Sequence, residues 1–343
     1  MAVLPDIATL WIGDRLSWLE QLCLKSFADA GHRITLYSYS PIDNIPPGVT
    51  QGDAEDIYPA SPMHRHARTG SPAIHADMWR LHLLANSDEI WVDADMYCYR
   101  PFDFDRAHIF GWEKRGVVCN AVLGLPRDSP ALLGLLDFFK NEYAIAPWLN
   151  AGQRAELQSE KDAGTPVHMT AQNWGFTGPA SVTYFLTQTG EIEHAEPEEA
   201  FYPIAFPDRN KMIISRHNEW VEDHLISQTR GVHFWARRMK PRLEEKENNL
   251  PRRGSFMDGL MKKHNIDPLD AMIPAKKKQI GDKLEQPEFQ AMIGLSALKG
   301  ERSIDSLCRE HLVEKQFVKR CRDVISEKAV TLFENPDCNE GDK

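Results

Sequence analysis

The stretch SPAIHADMWRLHLLANSDEIWVDADM, residues 71–96, decides how the chain is read. Ser71 and Pro72 are helix-start signals, and the apolar residues after them recur at helical spacing. Ile90, Trp91 and Val92 then make a short β-branched and aromatic run, the composition of a covered strand. The unit passes from helix to strand and ends on Asp93 and Asp95. Extended residues i and i+2 point the same way, so the spacing predicts both carboxylates on one face beyond the strand. Two carboxylates there repel each other unless a cation or a proton lies between them, which points to a hard metal ion or to acid–base chemistry.

Working outward, IATLWIG (residues 7–13) reads as a first strand ending in glycine. SWLEQLCLKSFADAG has helical apolar spacing at Leu19, Leu22, Cys23 and Phe27, with Gly31 where a helix stop belongs. HRITLYSYS reads as a second strand, followed by the turn-rich PIDNIPPGV. Strand, helix, strand in this order predicts a parallel α/β layer, and ligands of such sheets gather at the carboxyl ends of the strands. Further apolar runs occur at GVVCNAVLGLP and, after a helix around 132–143, at GVHFW. A second Asp-x-Asp, Asp103 and Asp105 in PFDFD, follows a proline with no apolar run before it and reads as a solvated turn. His64-Arg65-His66 lacks comparable context and reads as a surface loop before Ser71.

The 343 residues suffice for one large domain with an appendage, or for two domains. Apolar content of 42% and charged content of 26% are ordinary for a globular chain, and a net charge of −10 opposes an overall field that draws it to nucleic acid or anionic lipid. Six cysteines without a CxxC pair predict free thiols in a reducing cytosol. The start has no basic n-region and no segment reaches bilayer length, so the expectation is a cytoplasmic protein, at the inner membrane only where a partner brings it there. Beyond about residue 240 the α/β pattern fades. Residues 241–282 read as a charged linker, with Lys276, Lys277 and Lys278 as its densest basic run, and 283–343 as a helical module.

From Trp11 to Trp235 the pieces LWIG, SF, GH, ADMWRLHLL, WVDADM, NAVLGLP, TGPASVT, YPI and VHFW occur in order, over about two thirds of the chain. Together they resemble glycosyltransferase family 32, bacterial and fungal enzymes with a DxD sugar-binding motif. The resemblance implies a GT-A-like nucleotide-sugar-binding fold over 1–240, α/β with a mostly parallel central sheet. It also implies metal-dependent transfer of a sugar, with retention of configuration, from a nucleotide sugar such as a UDP-sugar to a saccharide or lipid-linked acceptor, as in surface-polysaccharide assembly. The leaving pyrophosphate needs neutralising, and an oxygen-ligated Mn2+ or Mg2+ does so directly. By the same resemblance Asp95 binds the metal, Asp93 contacts the ribose or the metal's waters, and His233 of VHFW completes the metal shell. Asp77 and Arg80, which share a helix face, address sugar hydroxyls and phosphate. Trp11 and Gly13 hold the base; Asn120 and Thr177-Gly178-Pro179 line the sugar and acceptor side.

Plainer roles stand beside these: a core histidine at His233, an intrahelical ion pair for Asp77 and Arg80, and packing or turns for the others. The chain departs from the family pattern at NSDE, where Asp88 and Glu89 stand in place of a glycine pair. A DxD phosphatase, with Asp93 as nucleophile and Asp95 as acid, is an alternative, although Met96 follows where Thr or Val is usual. The tail, 286–335, resembles the helix-turn-helix unit of insertion-sequence transposase accessory proteins through LKGERSIDSLCREH and EKQFVKRCRD. There Ser303 caps the first helix, and Lys315, Lys319, Arg320 and Arg322 lie on the second, which enters the major groove in a working unit. Leu312 replaces the usual turn glycine and Cys321 the usual tryptophan anchor, so a helical appendage used for packing is the competing reading. A DNA-binding protein led by this tail is the alternative function of a different class.

Overall fold

The computed structural model describes residues 4–173, 175–273, 284, 286–300, 302–311 and 313–334. The chain divides into two compact units. The first takes in residues 1–16, 20–211 and 217–235. Its strands are β1 (Ile7–Trp11), β2 (Ile34–Ser38), β3 (Val49–Asp53), β4 (Ile90–Val92), β5 (Met96–Cys98), β6 (Ile109–Lys114), β7 (Val117–Gly124) and β8 (Gly231–His233). Six of them form one sheet in the order β3-β2-β1-β4-β7-β6. The first four are parallel, and β7 and β6 run antiparallel on one side. This is the α/β architecture with a mostly parallel central sheet that the sequence predicts, consistent with a GT-A-like fold.

Alternation along the strands supplies both faces of the sheet with apolar side chains. Ala8, Leu10 and Trp91 join Met78, Trp79 and Leu83 of α2 (Ala73–Asn86), Leu132 and Leu135 of α3 (Pro130–Phe139), and Val182 and Leu186 of α5 (Pro179–Thr189) in one core, with α4 (Ala151–Asp162) between the last two in sequence. On the other face Ile7, Ile34, Leu36, Ile90 and Val92 pack with Leu24 and Phe27 of α1 (Trp18–Asp29) and with Phe102 and Phe201. β3 follows the turn-rich PIDNIPPGV and has no apolar alternation to announce it; its residues VTQGD are half or fully exposed, as an edge strand permits. At the entry to β4, Glu89 accepts a hydrogen bond from the Tyr37 hydroxyl (2.9 Å) and Asp88 pairs with Arg127 (3.1 Å).

One expectation about the loops fails. His64-Arg65-His66 is not a surface loop at its histidines: His64 is 6% and His66 3% exposed. The chain between β3 and α2 folds inward because its backbone is tied to distant segments, Ala67 N–H donating to the Thr170 carbonyl (2.8 Å) and His75 N–H to that of His64 (3.2 Å). Asp103 and Asp105 do lie on the surface, with Asp103 paired to Arg230 Nε at 2.8 Å.

The second unit takes in residues 17–19, 212–216 and 236–343. Helix Ala236–Lys246 runs into the stretch expected as a charged linker and helix Phe256–Lys263 lies within it, and Met257, Leu260, Met261 and Leu269 of that stretch are buried. Lys276, Lys277 and Lys278 lie outside the described residues, as does Leu312. Helices Pro287–Lys299, Ile304–His311 and Lys315–Glu334 enclose a small core of Phe289, Ile293, Leu307, Cys308, Val318 and Cys321. A Cβ at Gly294 would stand 2.6 Å from the Cys321 carbonyl oxygen, so glycine there lets two helices approach closely. Ser303 Oγ caps its helix by accepting from Ser306 N–H (3.1 Å), and Lys315 is held by Asp267 and by Asp305 (3.1 Å). Lys319 and Arg320 are exposed, and Arg322 pairs with Asp323. The five described cysteines are buried thiols. Among the described residues no helix is long and apolar enough to cross a membrane.

Glu191 fastens the start of α3 in the first unit. Its carboxylate accepts from Ser129 Oγ (2.6 Å), Ala131 N–H (2.7 Å) and Thr189 Oγ1 (2.8 Å), and lies 3.0 Å from His108 Nε2. Burial alone would push its pKa up, but the hydrogen bonds outweigh burial and hold it below the ordinary value. A carboxyl depressed by folding contributes stability above its unfolded pKa and loses it as pH falls through the folded one. Glu191→Gln should therefore cost about 1–3 kcal/mol near neutral pH, since each buried donor loses a charged acceptor. In denaturant unfolding the gap between variant and parent should narrow once pH falls below about 4.3. A gap that stays constant down to strong acid would contradict this role.

Candidate functional site

Arg80, on the buried face of α2 and 6% exposed, organises the site. Its Nη2 lies 3.3 Å from Asp77 Oδ1 and 3.3 Å from Asp93 Oδ1. Nη1 donates to the Asn120 carbonyl of β7 and Nε to the Ala76 carbonyl (3.4 Å). The guanidinium sits over the Trp91 ring, 4.5 Å from its centroid, so cation–π attraction adds to the ion pairs. All three guanidinium nitrogens thus have partners inside the protein.

Asp77 links the same group to the loop before α5. Its Oδ2 accepts from Thr177 Oγ1 (2.6 Å) and its Oδ1 from Asn120 Nδ2 (3.0 Å). Gly178 follows, and a Cβ there would lie 3.3 Å from Asn120 Nδ2 and 3.4 Å from Asp77 Oδ2, tighter than a side chain normally packs. Asp77, Arg80, Asn120, Thr177 and Asp93 are therefore brought together as one group of hydrogen bonds and ion pairs with Gly178 packed against it, which the i, i+3 spacing of Asp77 and Arg80 only hints at. Trp11, at the carboxyl end of β1, donates its indole N–H to the Arg15 carbonyl (3.1 Å), and a Cβ at Gly13 would lie 3.0 Å from that indole nitrogen. These two define the loop after β1.

Asp93 and Asp95 meet by a route that strand alternation does not describe. β4 stops at Val92, and residues 93–96 form a turn closed by Met96 N–H donating to the Asp93 carbonyl (2.9 Å). The shared face expected from an extended i, i+2 pair is replaced by this turn, because Met96 begins β5 and pairs with β8. That pairing sets Met96 opposite His233, next to Asp95, and His233 Nε2 lies 3.2 Å from Asp95 Oδ1. Asp93 Oδ1 accepts from the Trp91 indole (2.9 Å), and Asp93 N–H donates to the Ala121 carbonyl (2.8 Å).

Burial pushes the Asp93 carboxyl up; Arg80 opposes this and the Asp95 carboxylate adds to it. Burial alone would lower His233, but the charge of Asp95 and its hydrogen bond, with Asp93 behind it, raise the imidazole above its ordinary value. The His233 shift reflects the carboxylates beside it, and that of Asp93 chiefly its burial. The ligand atoms of Asp93, Asp95 and His233 all lie within 4.8 Å of one another, close enough for one ion. His233 Nδ1 is buried and has no hydrogen-bond partner. Two carboxylates and one imidazole suit manganese and its neighbours, and accept magnesium less readily.

Three aromatic supports escape sequence reasoning. Trp91 both anchors Asp93 and floors Arg80. Tyr202 packs edge-on to His233 with centroids 5.9 Å apart, and Trp235 lies 4.0 Å from it. Trp235 has φ 55°, a left-handed conformation unusual for a bulky residue, and it places the ring on the imidazole. All three fall within the quoted pieces WVDADM, YPI and VHFW, but spacing gives no hint that they converge.

No protein-family model and no curated protein matches this chain. Among solved structures it is similar to the PaToxG glycosyltransferase, at 16% identity over 53% of this chain and 67% of that one, with a TM-score of 0.36.

Thr177→Val, which keeps the side-chain shape, removes the hydroxyl that Asp77 accepts from. The loss should cost about 1.5–3 kcal/mol in chemical denaturation, the range for a hydrogen bond to a charged group. A change under about 0.5 kcal/mol, the scale of an ordinary surface substitution, would mean that Thr177 does not order Asp77 in solution.

Proposed function

We propose that the first unit is a GT-A-like, divalent-metal-dependent glycosyltransferase that moves a sugar from a nucleotide-sugar donor to a saccharide or lipid-linked acceptor. The observation that carries this reading is the convergence of Asp93, Asp95 and His233 beside the buried Asp77–Arg80 pair, at the carboxyl end of a strand in an α/β sheet. Asp95, in the turn that leads into β5, and His233, on β8, would hold a manganese or magnesium ion. Bound there, the ion would neutralise the pyrophosphate of the departing nucleoside diphosphate. Asp93, locked by Trp91 and Arg80, would present its remaining oxygen to the ribose or to the ion's waters. Asp77 would orient the Asn120 amide and the Thr177 hydroxyl toward the sugar, and Trp11 with Gly13 would border the base. Arg80 acts through these groups, holding two carboxylates at fixed separation. Retention at the anomeric carbon is the stereochemical outcome proposed, and the anomeric coupling constant of the product reads it.

Purified protein is to be offered a panel of nucleotide sugars with manganese or with chelator. Metal-dependent hydrolysis or transfer from one donor is expected, and Asp95→Asn should reduce it about a hundredfold or more, the scale of losing several kcal/mol of charge stabilisation. Circular dichroism should remain that of the parent. Transfer by Asp95→Asn at the parent rate would remove Asp95 from the metal site.

A further inference from the structure

His64, Glu142 and His168 converge in the first unit, away from the residues assigned above. His168 Nε2 lies 2.7 Å from Glu142 Oε2, and His64 Nε2 lies 3.5 Å from Glu142 Oε1. One ligand atom from each residue falls within 4.8 Å of the others. The two imidazoles are nearly parallel, with centroids 6.3 Å apart and planes inclined by 29°, and both turn a ring nitrogen to the same carboxylate. We propose that these three side chains form a second metal site, selective for zinc, that clamps the loop before α2 to the segment 142–170.

The donor chemistry supports zinc. Two imidazole nitrogens and one carboxylate oxygen are a standard zinc set with one position left open, and they are too nitrogen-rich for magnesium or calcium. Bonds of about 2.0–2.1 Å in a tetrahedron set neighbouring ligand atoms about 3.3–3.4 Å apart. The His64 Nε2–Glu142 Oε1 separation of 3.5 Å is close to this, and the His168 contact is to the other oxygen, Oε2, so the Glu142 carboxylate would turn to set one oxygen between the two imidazoles as the ion replaces the hydrogen bond. Tyr58 Oη stands 3.3 Å from His64 Nε2, where it can hydrogen-bond a water in the open position.

The frame is built before any ion arrives. Met169 N–H donates to the Glu142 carbonyl (2.7 Å), and Ala67 N–H to the Thr170 carbonyl (2.8 Å), so the three ligand-bearing segments are already tied together. His168 Nδ1 accepts from Thr170 N–H (3.2 Å) and lies 2.7 Å from Thr170 Oγ1, which orients the ring with Nε2 toward Glu142; zinc would displace the proton that Nε2 holds against that carboxylate. The clamped segment runs on to Thr177, the partner of Asp77, so the ion would steady the chain that leads into the candidate active site.

The test uses the full chain stripped of metal, in an Asp95→Asn/His233→Gln background that disables the first site. Zinc is added and weakly held metal is removed by gel filtration. Elemental analysis should then find about one zinc per chain, with a raised melting temperature, because an ion that binds only the folded state stabilises it. His168→Gln in the same background should lose both the zinc and the thermal shift. Glu142→Gln, at a side chain 40% exposed and so tolerant of change, repeats the test if His168→Gln folds poorly. Four-coordinate binding is confirmed by intense visible absorption of the cobalt form. Absence of zinc from the background protein, or zinc retained by both glutamine variants, would overturn the site and leave the cluster as an ion-pair network, without bearing on the reading of Asp93, Asp95 and His233.

Discussion

A guanidinium buried between two carboxylates is the interaction on which the candidate site depends. A charge removed from water is costly unless it is paired and fully hydrogen-bonded, and Arg80 meets both conditions through Asp77, Asp93, the Asn120 and Ala76 carbonyls and the Trp91 ring. Those partners lie on three parts of the chain. One side chain thus fixes α2, the end of β4 and the middle of β7 relative to one another. Losing Arg80 would leave two carboxylates without their buried counter-charge, so the arrangement depends on this one side chain.

That rigidity is what makes the neighbouring acid pair usable. Asp93 is held on one side by Arg80 and Trp91 and faces Asp95 across a tight turn, so mutual repulsion cannot be relieved by rotation away. The register of β5 against β8 then delivers His233 to the same point from more than a hundred residues away. Repulsion held in place by packing is stored preference for a cation, and the unpartnered His233 Nδ1 is consistent with a side chain whose polar capacity is not all used by protein.

How much of this was legible follows from separation along the chain. β1, α1, β2, α2, β4 and β7 each carry a local periodicity or terminal signal, and the order of the first elements was enough for a parallel sheet. β3 was not legible, because an edge strand of VTQGD needs no apolar alternation. Within the site, the spacing of Asp77 and Arg80 and the Asp-x-Asp after an apolar run were readable. The turn at 93–96 was not, since it arises from a pairing of Met96 with His233 that no local pattern records. His64 was misjudged for the same reason: its partners are Glu142 and His168, and a histidine without local context gives no sign of burial.

The measurement that bears most directly on the central claim is calorimetric binding of nucleoside diphosphates with and without manganese, comparing the parent with His233→Gln. If Asp93, Asp95 and His233 hold the ion that receives the pyrophosphate, the parent should bind one nucleoside diphosphate only when manganese is present, and His233→Gln should need far more manganese to do so. Equal binding in chelator, or binding that the variant leaves unchanged, would contradict the account and separate this acidic cluster from nucleotide recognition.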